Sequence, residues 1–178
     1  VRIYENQSGV WTQIGQDING EAIGDFFGQS VSISSDGTIV AAGAFGNNNN
    51  GDNSGHVRIY ENQSGVWTQI GQYINGKAAD DFFGESVSLS SDGTIVAIGA
   101  PDNDANGFGS GHVRVYENQS ENWVQIGQDI DGESEIDFSG TSVSLSSNGT
   151  IVVIGAPSVQ GGVNGEGSVR IYENQGGI

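Results

Sequence analysis

The stretch DDFFGESVSLSSDGTIVAIGAP, residues 80–101, holds two runs of strand-forming residues that are interrupted by small side chains. Serine alternates with Val87 and Leu89 in the first run, and Ala97 and Gly99 lie within the second. Nearly the same stretch occurs upstream at residues 24–45 and downstream at residues 136–157. Small residues inside strands permit the close approach of a neighbouring backbone. We therefore infer that one geometric requirement is met three times along the chain.

A single repeat period extends over the whole sequence. The segment VRIYENQ begins at Val1, Val57, Val113 and Val169, which are equally spaced. The chain therefore divides into units 1–56, 57–112 and 113–168 and a partial unit 169–178. We expect a single repeat array, which is either an excerpt of a longer chain or one part of an assembled fold.

The composition excludes several classes of partner. The 178 residues include 22 acidic and five basic side chains, which gives a net charge of −17. Nucleic-acid phosphates and anionic membrane surfaces would repel such a chain, so we expect no nucleic-acid partner. No apolar run approaches the roughly 18 residues needed to cross a bilayer, so we expect no membrane insertion. The sequence has no cysteine, which excludes disulfides and thiolate metal sites.

Each unit contains four short strand candidates and no helical periodicity. In the middle of the chain they are residues 86–90, 94–100, 112–116 and 122–128. The first two candidates are joined by Asp92-Gly93, a dipeptide that favours a type I′ turn with two positive φ angles. Asn148 replaces the aspartate in the next unit. The charge at this turn is therefore dispensable.

The four strands of a unit differ in bulk. The first two carry serine, glycine and alanine, whereas the third and fourth carry large aromatic residues, namely Tyr60, Tyr116, Trp67 and Trp123. A sheet that is thin at one edge and thick at the other has the shape of a wedge. This profile predicts an all-β fold of β-propeller type, in which each repeat unit forms one four-stranded antiparallel blade, with three full units and a partial fourth. The small residues should lie where the blades crowd around the axis.

The repeated residues resemble the FG-GAP repeat of integrin α-subunit propellers and their bacterial and algal relatives. Phe83-Gly84 matches the FG element, and Gly99-Ala100-Pro101 matches the GAP element. The first unit keeps Phe27-Gly28 with Gly43-Ala44-Phe45, and the third keeps Ser139-Gly140 with Gly155-Ala156-Pro157. A similar turn before a small apolar strand also occurs in tryptophan-aspartate repeats. The resemblance covers all three units and implies a propeller.

Calcium is the one cofactor that the sequence suggests. Calcium-binding members of the family carry an Asp-x-Asp-x-Asp-Gly loop between the first two strands, where this chain has only the tight SSDGT or SSNGT turn. A different loop, residues 101–111, offers Asp102, Asp104 and Asn106 at the alternate spacing of a calcium loop. The closing glutamate of such a loop is absent. Two hypotheses therefore stay open for these residues: a calcium site and a solvated turn.

Other repeated polar residues are predicted to be structural. Asp25, Asp81 and Asp137 precede the FG element in every unit, which suggests a shared backbone hydrogen bond. The FG glycines Gly28, Gly84 and Gly140 and the tryptophans Trp11, Trp67 and Trp123 are further repeat positions. His56 and His112 share the context GHVR, but Ser168 replaces them in the fourth copy, so we interpret them as strand-edge residues. The acidic segments 17–21 and 129–133 are interpreted as turns, because residues 73–77 read YINGK.

These features favour a non-enzymatic extracellular or cell-surface module that acts in adhesion, recognition or self-assembly. No combination of acid, base and nucleophile is suggested by spacing. The loops 45–55, 101–111 and 157–167 differ most among units and are expected to contact protein or glycan ligands. We also expect pairing with another copy or with further blades of the same chain. Two alternatives stay open: a lectin that uses exposed tryptophans, and a structural repeat of a filament or cell-surface layer.

Overall fold

A computed structural model describes residues 1–157 and 166–176, and this part of the chain is all-β without a helix. Within it, no helix has the length and apolar character required to cross a membrane. The strands are β1 (Tyr4–Gln7), β2 (Val10–Gln13), β3 (Val31–Ile33), β4 (Ile39–Ala44), β5 (His56–Gln63), β6 (Val66–Gln69), β7 (Ile74–Asn75), β8 (Ser86–Leu89), β9 (Ile95–Ala100), β10 (His112–Gln119), β11 (Asn122–Asp131), β12 (Ser142–Leu145), β13 (Ile151–Ala156) and β14 (Ser168–Glu173).

The strands form antiparallel sheets that follow the repeat. Two complete blades have the orders β3-β4-β5-β6 and β8-β9-β10-β11, and β7 adds a second partner to β5. At one end, β1 and β2 form the third and fourth strands of a blade. At the other end, β12, β13 and β14 form the first, second and third strands of another. The fold class predicted from the sequence, β-propeller-type repeats with four-stranded blades, is confirmed.

The third and fourth strands are longer than predicted. The β10–β11 hairpin pairs Gln119 with Asn122 at its turn and His112 with Asp131 at its far end. An irregularity between Val113 and Val115 shifts the register once along this ladder. Strand pairing therefore continues past Gly127 and Gln128, which the sequence suggested as the end of the strand.

The turn between the first two strands is not of type I′. Gly93 has a positive φ of 70°, but Asp92 does not lie in that region. The Asp92 carboxylate instead accepts hydrogen bonds from the Thr94 amide at 3.1 Å and the Thr94 hydroxyl at 2.8 Å. Asn148 uses its side-chain oxygen in the same way toward Thr150. An oxygen acceptor is therefore what the turn requires, which explains the exchange of aspartate for asparagine.

Small residues join successive blades at their first strands. The Ser32 hydroxyl accepts a hydrogen bond from the Leu89 amide at 2.9 Å, and Ser88 accepts one from Leu145 at the same distance. Ser86 donates to the Gly140 carbonyl at 2.7 Å. These bonds run from one sheet to the next, so a larger side chain would separate the sheets. The serine face of each first strand is an inter-blade contact.

The FG and GAP glycines of neighbouring repeats lie against each other. A Cβ atom on Gly43 would collide with the Gly84 carbonyl, and one on Gly99 would collide with the Gly140 carbonyl. Gly84 has a φ of 94°, which only glycine adopts without strain, and its amide donates to the Gly99 carbonyl at 2.9 Å. The motif therefore links the FG element of one unit to the GAP glycine of the unit before it.

Two of the three tryptophans are buried between blades. Trp67 and Trp123 are 3% and 4% exposed. The Trp67 indole donates to the Ile14 carbonyl at 2.9 Å, and the Trp123 indole donates to Ile70 at 3.2 Å. Each ring thus packs on the outer strand of the preceding blade. The hypothesis that all three tryptophans are exposed sugar platforms is wrong for these two, and only Trp11 is exposed, at 67%.

We predict that Gly84→Ala is much more destabilising than Gly65→Ala. Both glycines have φ near +90°, at 94° and 91°, so the backbone strain is matched. A Cβ on Gly84 would lie 2.8 Å from the His56 carbonyl, whereas Gly65 has no atom within 4 Å of that position. Urea unfolding should show a loss of about 1 kcal/mol for Gly65→Ala and about 1–3 kcal/mol more for Gly84→Ala. Equal losses would contradict the close contact between blades.

Candidate functional site

One face of the repeat array is formed by loops and turns, and we call it the loop face. It comprises loops 45–55 and 101–111, which connect second to third strands, and the turns 24–28, 80–84 and 136–140 that contain the FG elements. The remaining predicted loop, 157–167, lies largely outside the described residues. Variable loops on a rigid repeat are where binding residues are commonly placed.

Buried aspartates attach the loops to the scaffold. The Asn47 amide group donates to the Asp25 carboxylate at 3.1 Å, and Asn103 donates to Asp81 at 2.8 Å. Asp81 also accepts a hydrogen bond from the Ala78 backbone amide at 3.0 Å. Both carboxylates are buried and hold loop or turn atoms by hydrogen bonds.

Asp137 has the same kind of contact in the third unit. It is completely buried, and its carboxylate accepts a hydrogen bond from the Ser134 amide at 3.1 Å. Arg170 lies 3.9 Å from the same carboxylate oxygen. The aspartates before the FG elements therefore order the turns, which leaves other carboxylates for ligand contact.

The two described loops share one hydrogen-bond pattern despite their different sequences. Asn48 accepts from the Asn53 amide, and Asp104 accepts from the Gly109 amide, each at 2.8 Å. In the second loop, the Asn106 side chain donates to the Gly132 carbonyl at 2.9 Å. Asn50 donates to Gly76 in the first loop at the same distance. The two loops share the same internal hydrogen bonds. They differ in the other side chains that they present to solvent.

Aromatic rings extend along the loop face. The phenylalanines at the start of the FG turns, Phe26, Phe82 and Phe138, all have positive φ angles of 51–53°. This conformation is uncommon for a bulky residue and holds each ring near the loops. The Phe26 and Phe45 rings stack at 5.1 Å, and Phe45 contacts Phe82 at 5.8 Å. Phe26 is 61% exposed and Phe108 is 69% exposed, so the row presents apolar surface.

Carboxylates of the second unit share the loop and the turn that carry two of these rings, with Asp102 and Asp104 in the loop of Phe108 and Asp80 and Glu85 in the turn of Phe82. Burial raises the pKa of Asp102, and the nearby charges of Asp104 and Asp80 raise it further. Burial likewise raises the pKa of Glu85, with a smaller contribution from Asp102. We call these four side chains the acidic cluster, in which Asp102 lies near enough to each of the other three for their charges to interact. A cation placed among them would relieve that repulsion.

The positive charges of the chain are used elsewhere. All five basic residues form ion pairs away from the acidic cluster: Arg2–Asp17, Arg58–Glu21, Lys77–Asp129, Arg114–Asp129 and Arg170–Glu133. Among the described residues, the acidic cluster has no ion-pair partner. The acidic segments 17–21 and 129–133 supply the partners of these basic residues. The interpretation of 129–133 as a turn is wrong for its first three residues, which belong to β11 and pair with β10.

The proposed calcium ligands lie in the second loop but are partly engaged. Asp102 is half-buried, whereas Asp104 and Asn106 are exposed and already make the loop hydrogen bonds described above. Calcium at this loop stays a prediction. The sequence hypothesis missed Asp80 and Glu85, although the doubled aspartate of the segment ADDFF, found only in the second unit, marks the first of them.

A second group has the composition of a metal site. Within residues 1–157 and 166–176, His112, Asp129 and Asp131 have ligand atoms within 4.8 Å of one another. However, Lys77 and Arg114 already bind Asp129, at 2.9 Å and 3.1 Å. Two cations at this position disfavour a metal ion. The group was missed in the sequence because the strand register, which pairs His112 with Asp131, brings it together.

Both histidines are buried and uncharged. His56 and His112 are at most 1% exposed, and their ring nitrogens have no hydrogen-bond partner among the described residues. Burial, with a further contribution from Arg114, lowers the pKa of His112 to about 3. Burial lowers the pKa of His56 as well. These residues are therefore core residues at the starts of β5 and β10.

The comparison with protein families agrees with this geometry. Residues 19–60 and 75–116 each match the family model described as FG-GAP repeat. Both segments are FG-GAP repeats. Each segment runs from the turn before an FG element to the third strand of the same blade, so it includes the loop that we assign to the loop face. No curated protein sequence matches the chain.

Solved structures share the fold at low sequence identity. The complex of KlAtg21 with the coiled-coil of AgAtg16 contains a chain that is 12% identical with a TM-score of 0.56, over 82% of this chain and 39% of that one. A protein described as a putative 6-phosphogluconolactonase, from Bacteroides uniformis, is 15% identical with a TM-score of 0.55, over 97% of this chain and 51% of that one. The chain thus spans about two fifths to one half of these proteins. Such identities establish the fold alone.

The buried histidine predicts a pH dependence of stability. The pKa of His112 falls from 6.5 when unfolded to about 3 when folded, so its stabilising contribution is complete above pH 6.5 and is lost as the pH falls toward 3. His112→Phe removes this proton linkage. Between pH 7.5 and pH 5, the variant should lose about 2 kcal/mol less of its unfolding free energy than the parent chain.

Urea unfolding at the two pH values measures the difference, and the other titrating groups, including His56, are common to both proteins. The absolute stability of His112→Phe does not enter the comparison. Equal losses on acidification would show that His112 is protonated in the folded chain.

Proposed function

We propose that this FG-GAP chain is a non-enzymatic binding module that recognises a basic protein partner through the loop face. The observation that supports this most strongly is the distribution of charge. All five basic residues are paired elsewhere, while Asp80, Glu85 and Asp104 lie near enough to Asp102 for their charges to interact, and Phe108 of the same loop is exposed. The surface therefore combines unpaired negative charge with apolar area.

The chemistry of this surface defines the partner. Lysine or arginine side chains would neutralise the acidic cluster, and the field of a chain with net charge −17 would increase the rate of encounter. Exposed rings such as Phe26 and Phe108 would bury apolar groups of the partner and accept cations on their faces. A partner segment that alternates basic and apolar residues matches both properties. We place this recognition at the cell surface or outside the cell.

Calcium belongs to the same proposal. Asp102, Asp104 and Asn106 are the ligands that we propose, and Asp80 adds charge beside them. A divalent ion would compete with a basic partner for the same carboxylates. Calcium concentration would then regulate recognition at the second loop.

The structure bears differently on the two alternative functions, a lectin and a structural repeat protein. Trp67 and Trp123 are buried between blades, so a carbohydrate site built on the repeated tryptophans loses two of its three platforms. A structural repeat protein would assemble through the two ends of the array, which are separate from the loop face. The loop face itself favours recognition.

Neutralising the acidic cluster should weaken the binding of a basic peptide. We predict that the triple variant Asp80→Asn, Asp102→Asn, Asp104→Asn binds a synthetic peptide of lysine, arginine and phenylalanine about tenfold more weakly, with a smaller dependence on salt. Fluorescence anisotropy of the labelled peptide measures both quantities.

The matched control removes the same charge at the strand ends, through Glu5→Gln, Glu61→Gln and Glu117→Gln. This control should bind within about twofold of the parent chain. If it weakens binding as much as the loop variant does, binding is caused by net charge and the proposed site is wrong.

Calcium titration gives an independent prediction. Calorimetry should show one calcium ion bound per chain, with binding abolished by Asp102→Asn or Asp104→Asn and retained by Glu117→Gln. Because burial and neighbouring charge raise the pKa of Asp102, calcium affinity should begin to fall at a higher pH than expected for an ordinary aspartate. Absence of heat in the parent chain, or unchanged binding in both loop variants, would refute the calcium site.

A further inference from the structure

Most contacts between successive blades are the same at every repeat. The Gln16 side chain donates to the Trp67 carbonyl at 2.8 Å and accepts from the Trp67 amide at 3.1 Å. One repeat later, Gln72 makes the same two bonds with Trp123, at 2.9 Å and 3.2 Å. The serine hydrogen bonds and the contacts of the FG and GAP glycines recur in the same way. These contacts cannot distinguish one neighbouring blade from another.

Mispairing is therefore a hazard for this chain. Misassembly and swapping between domains are characteristic failures in the folding of repeat proteins. The three full units here have the same length and carry the same tryptophan, glutamine and glycine positions. A contact that differs from one pair of blades to the next would oppose the pairing of blades in the wrong order.

The contact in front of the first complete blade, which we call the first contact, contains a buried arginine. Arg58 on β5 is 5% exposed, and its guanidinium lies 3.7 Å from the carboxylate of Glu21 in the preceding turn. The hydroxyl of Tyr73, next to β7 of the same blade, donates a hydrogen bond to that carboxylate. The turn therefore supplies the acid, and the blade supplies a cation and a phenol.

The contact in front of the second complete blade, which we call the second contact, has its acid on the other side. Arg114 on β10 is 1% exposed and donates to the Asp129 carboxylate on β11 at 3.1 Å. Lys77, the counterpart of Glu21, donates to the same carboxylate at 2.9 Å. Asp129 itself is the counterpart of Tyr73. The turn here supplies a cation, and the blade supplies both the arginine and its acid.

The next contact along the chain returns to glutamate in the turn. Arg170 on β14 lies 2.7 Å from the carboxylate of Glu133, which is a further counterpart of Glu21. The turn residue is thus glutamate, lysine and glutamate in succession. Adjacent contacts therefore differ in the sign of the charge that the turn presents.

Each wrong combination of turn and blade is unfavourable. A glutamate facing Asp129 gives two carboxylates that compete for one arginine. A lysine facing Tyr73 puts a second cation beside Arg58 and removes the carboxylate that Arg58 contacts. A buried charge that loses its partner is strongly destabilising, and like charges brought together add to that cost. The Lys77–Asp129 ion pair itself contributes little, because the Lys77 side chain is 58% exposed.

We propose that the residue pairs 21/73 and 77/129 select the neighbour of each blade. A turn with glutamate fits a blade with tyrosine, and a turn with lysine fits a blade with aspartate. If β8–β11 docked in the place of β3–β6, Glu21 would face Asp129. In the opposite error, Lys77 would face Tyr73. The charges thus reject a blade that the repeated contacts accept, whether it comes from the same chain or from another copy.

A double-mutant cycle in the full chain tests the matching of the second contact. Lys77→Glu and Asp129→Tyr each create a mismatch beside Arg114, so each should lower the urea midpoint by about 0.5–1 M. Together the two substitutions rebuild the residue set of the first contact. The double variant should therefore recover most of the lost midpoint, although it lacks the Lys77–Asp129 ion pair.

The matched control combines Lys77→Glu with Asp17→Tyr. Asp17 is the counterpart of Asp129 in the preceding unit, so the chemical change is the same but falls outside the second contact. This control should not recover the midpoint. If the losses of Lys77→Glu and Asp129→Tyr add, or if their combination does not fold, the two residues form only an ion pair and the proposal is wrong.

Refolding tests the selection of neighbours separately from stability. In the double variant of Lys77→Glu and Asp129→Tyr, the first and second contacts become alike, so the blades lose the means to reject a wrong neighbour. After dilution from urea, a smaller fraction of this variant than of the parent should regain native tryptophan emission. The deficit should grow with protein concentration, because blades of other copies then compete. Equal recovery at every concentration would overturn the proposal.

Discussion

The close approach of neighbouring blades at their first and second strands is the constraint on which the rest of this structure depends. Ser32 and Ser88 accept hydrogen bonds from amides of the next blade, and Gly43 and Gly99 have no room for a side chain. Only small residues allow this spacing, and the bulky third and fourth strands then spread outward. The wedge shape of each blade follows from that difference in bulk, and the placement of the loops follows from the wedge.

Some charged side chains of each repeat hold the scaffold together, and others are left to contact a ligand. The repeated arginines pair with carboxylates of the repeat, as Arg58 does with Glu21 and Arg114 with Asp129 of β11. The buried aspartates before the FG elements hold the loops. Among the carboxylates without an ion pair, Asp102 of the second unit is half-buried with Asp80, Asp104 and Glu85 near it. The proposed functional surface thus consists of side chains that the repeat does not need for its own architecture.

The sequence predicted the blades because their determinants are local and periodic. The repeat period and the alternation of serine with apolar residues are visible without coordinates. The turn type was missed because the side-chain oxygen of Asp92 stabilises another turn. The burial of Trp67 was missed because its partner, Ile14, lies in the preceding unit. Asp102 was identified from loop spacing, whereas its association with Asp80 and Glu85 depends on how loop and turn meet in space.

Native-state hydrogen exchange of two amides tests the inter-blade contact most directly. The Leu89 and Leu145 amides point away from their own sheets, and their hydrogen bonds go to serine hydroxyls of the preceding blade. The account predicts protection comparable to that of Ser90, whose amide bonds within its own sheet to Ile95. Ser32→Ala should selectively remove the protection of Leu89. Rapid exchange at Leu89 and Leu145 in the parent chain would contradict the claim that small residues lock the blades together.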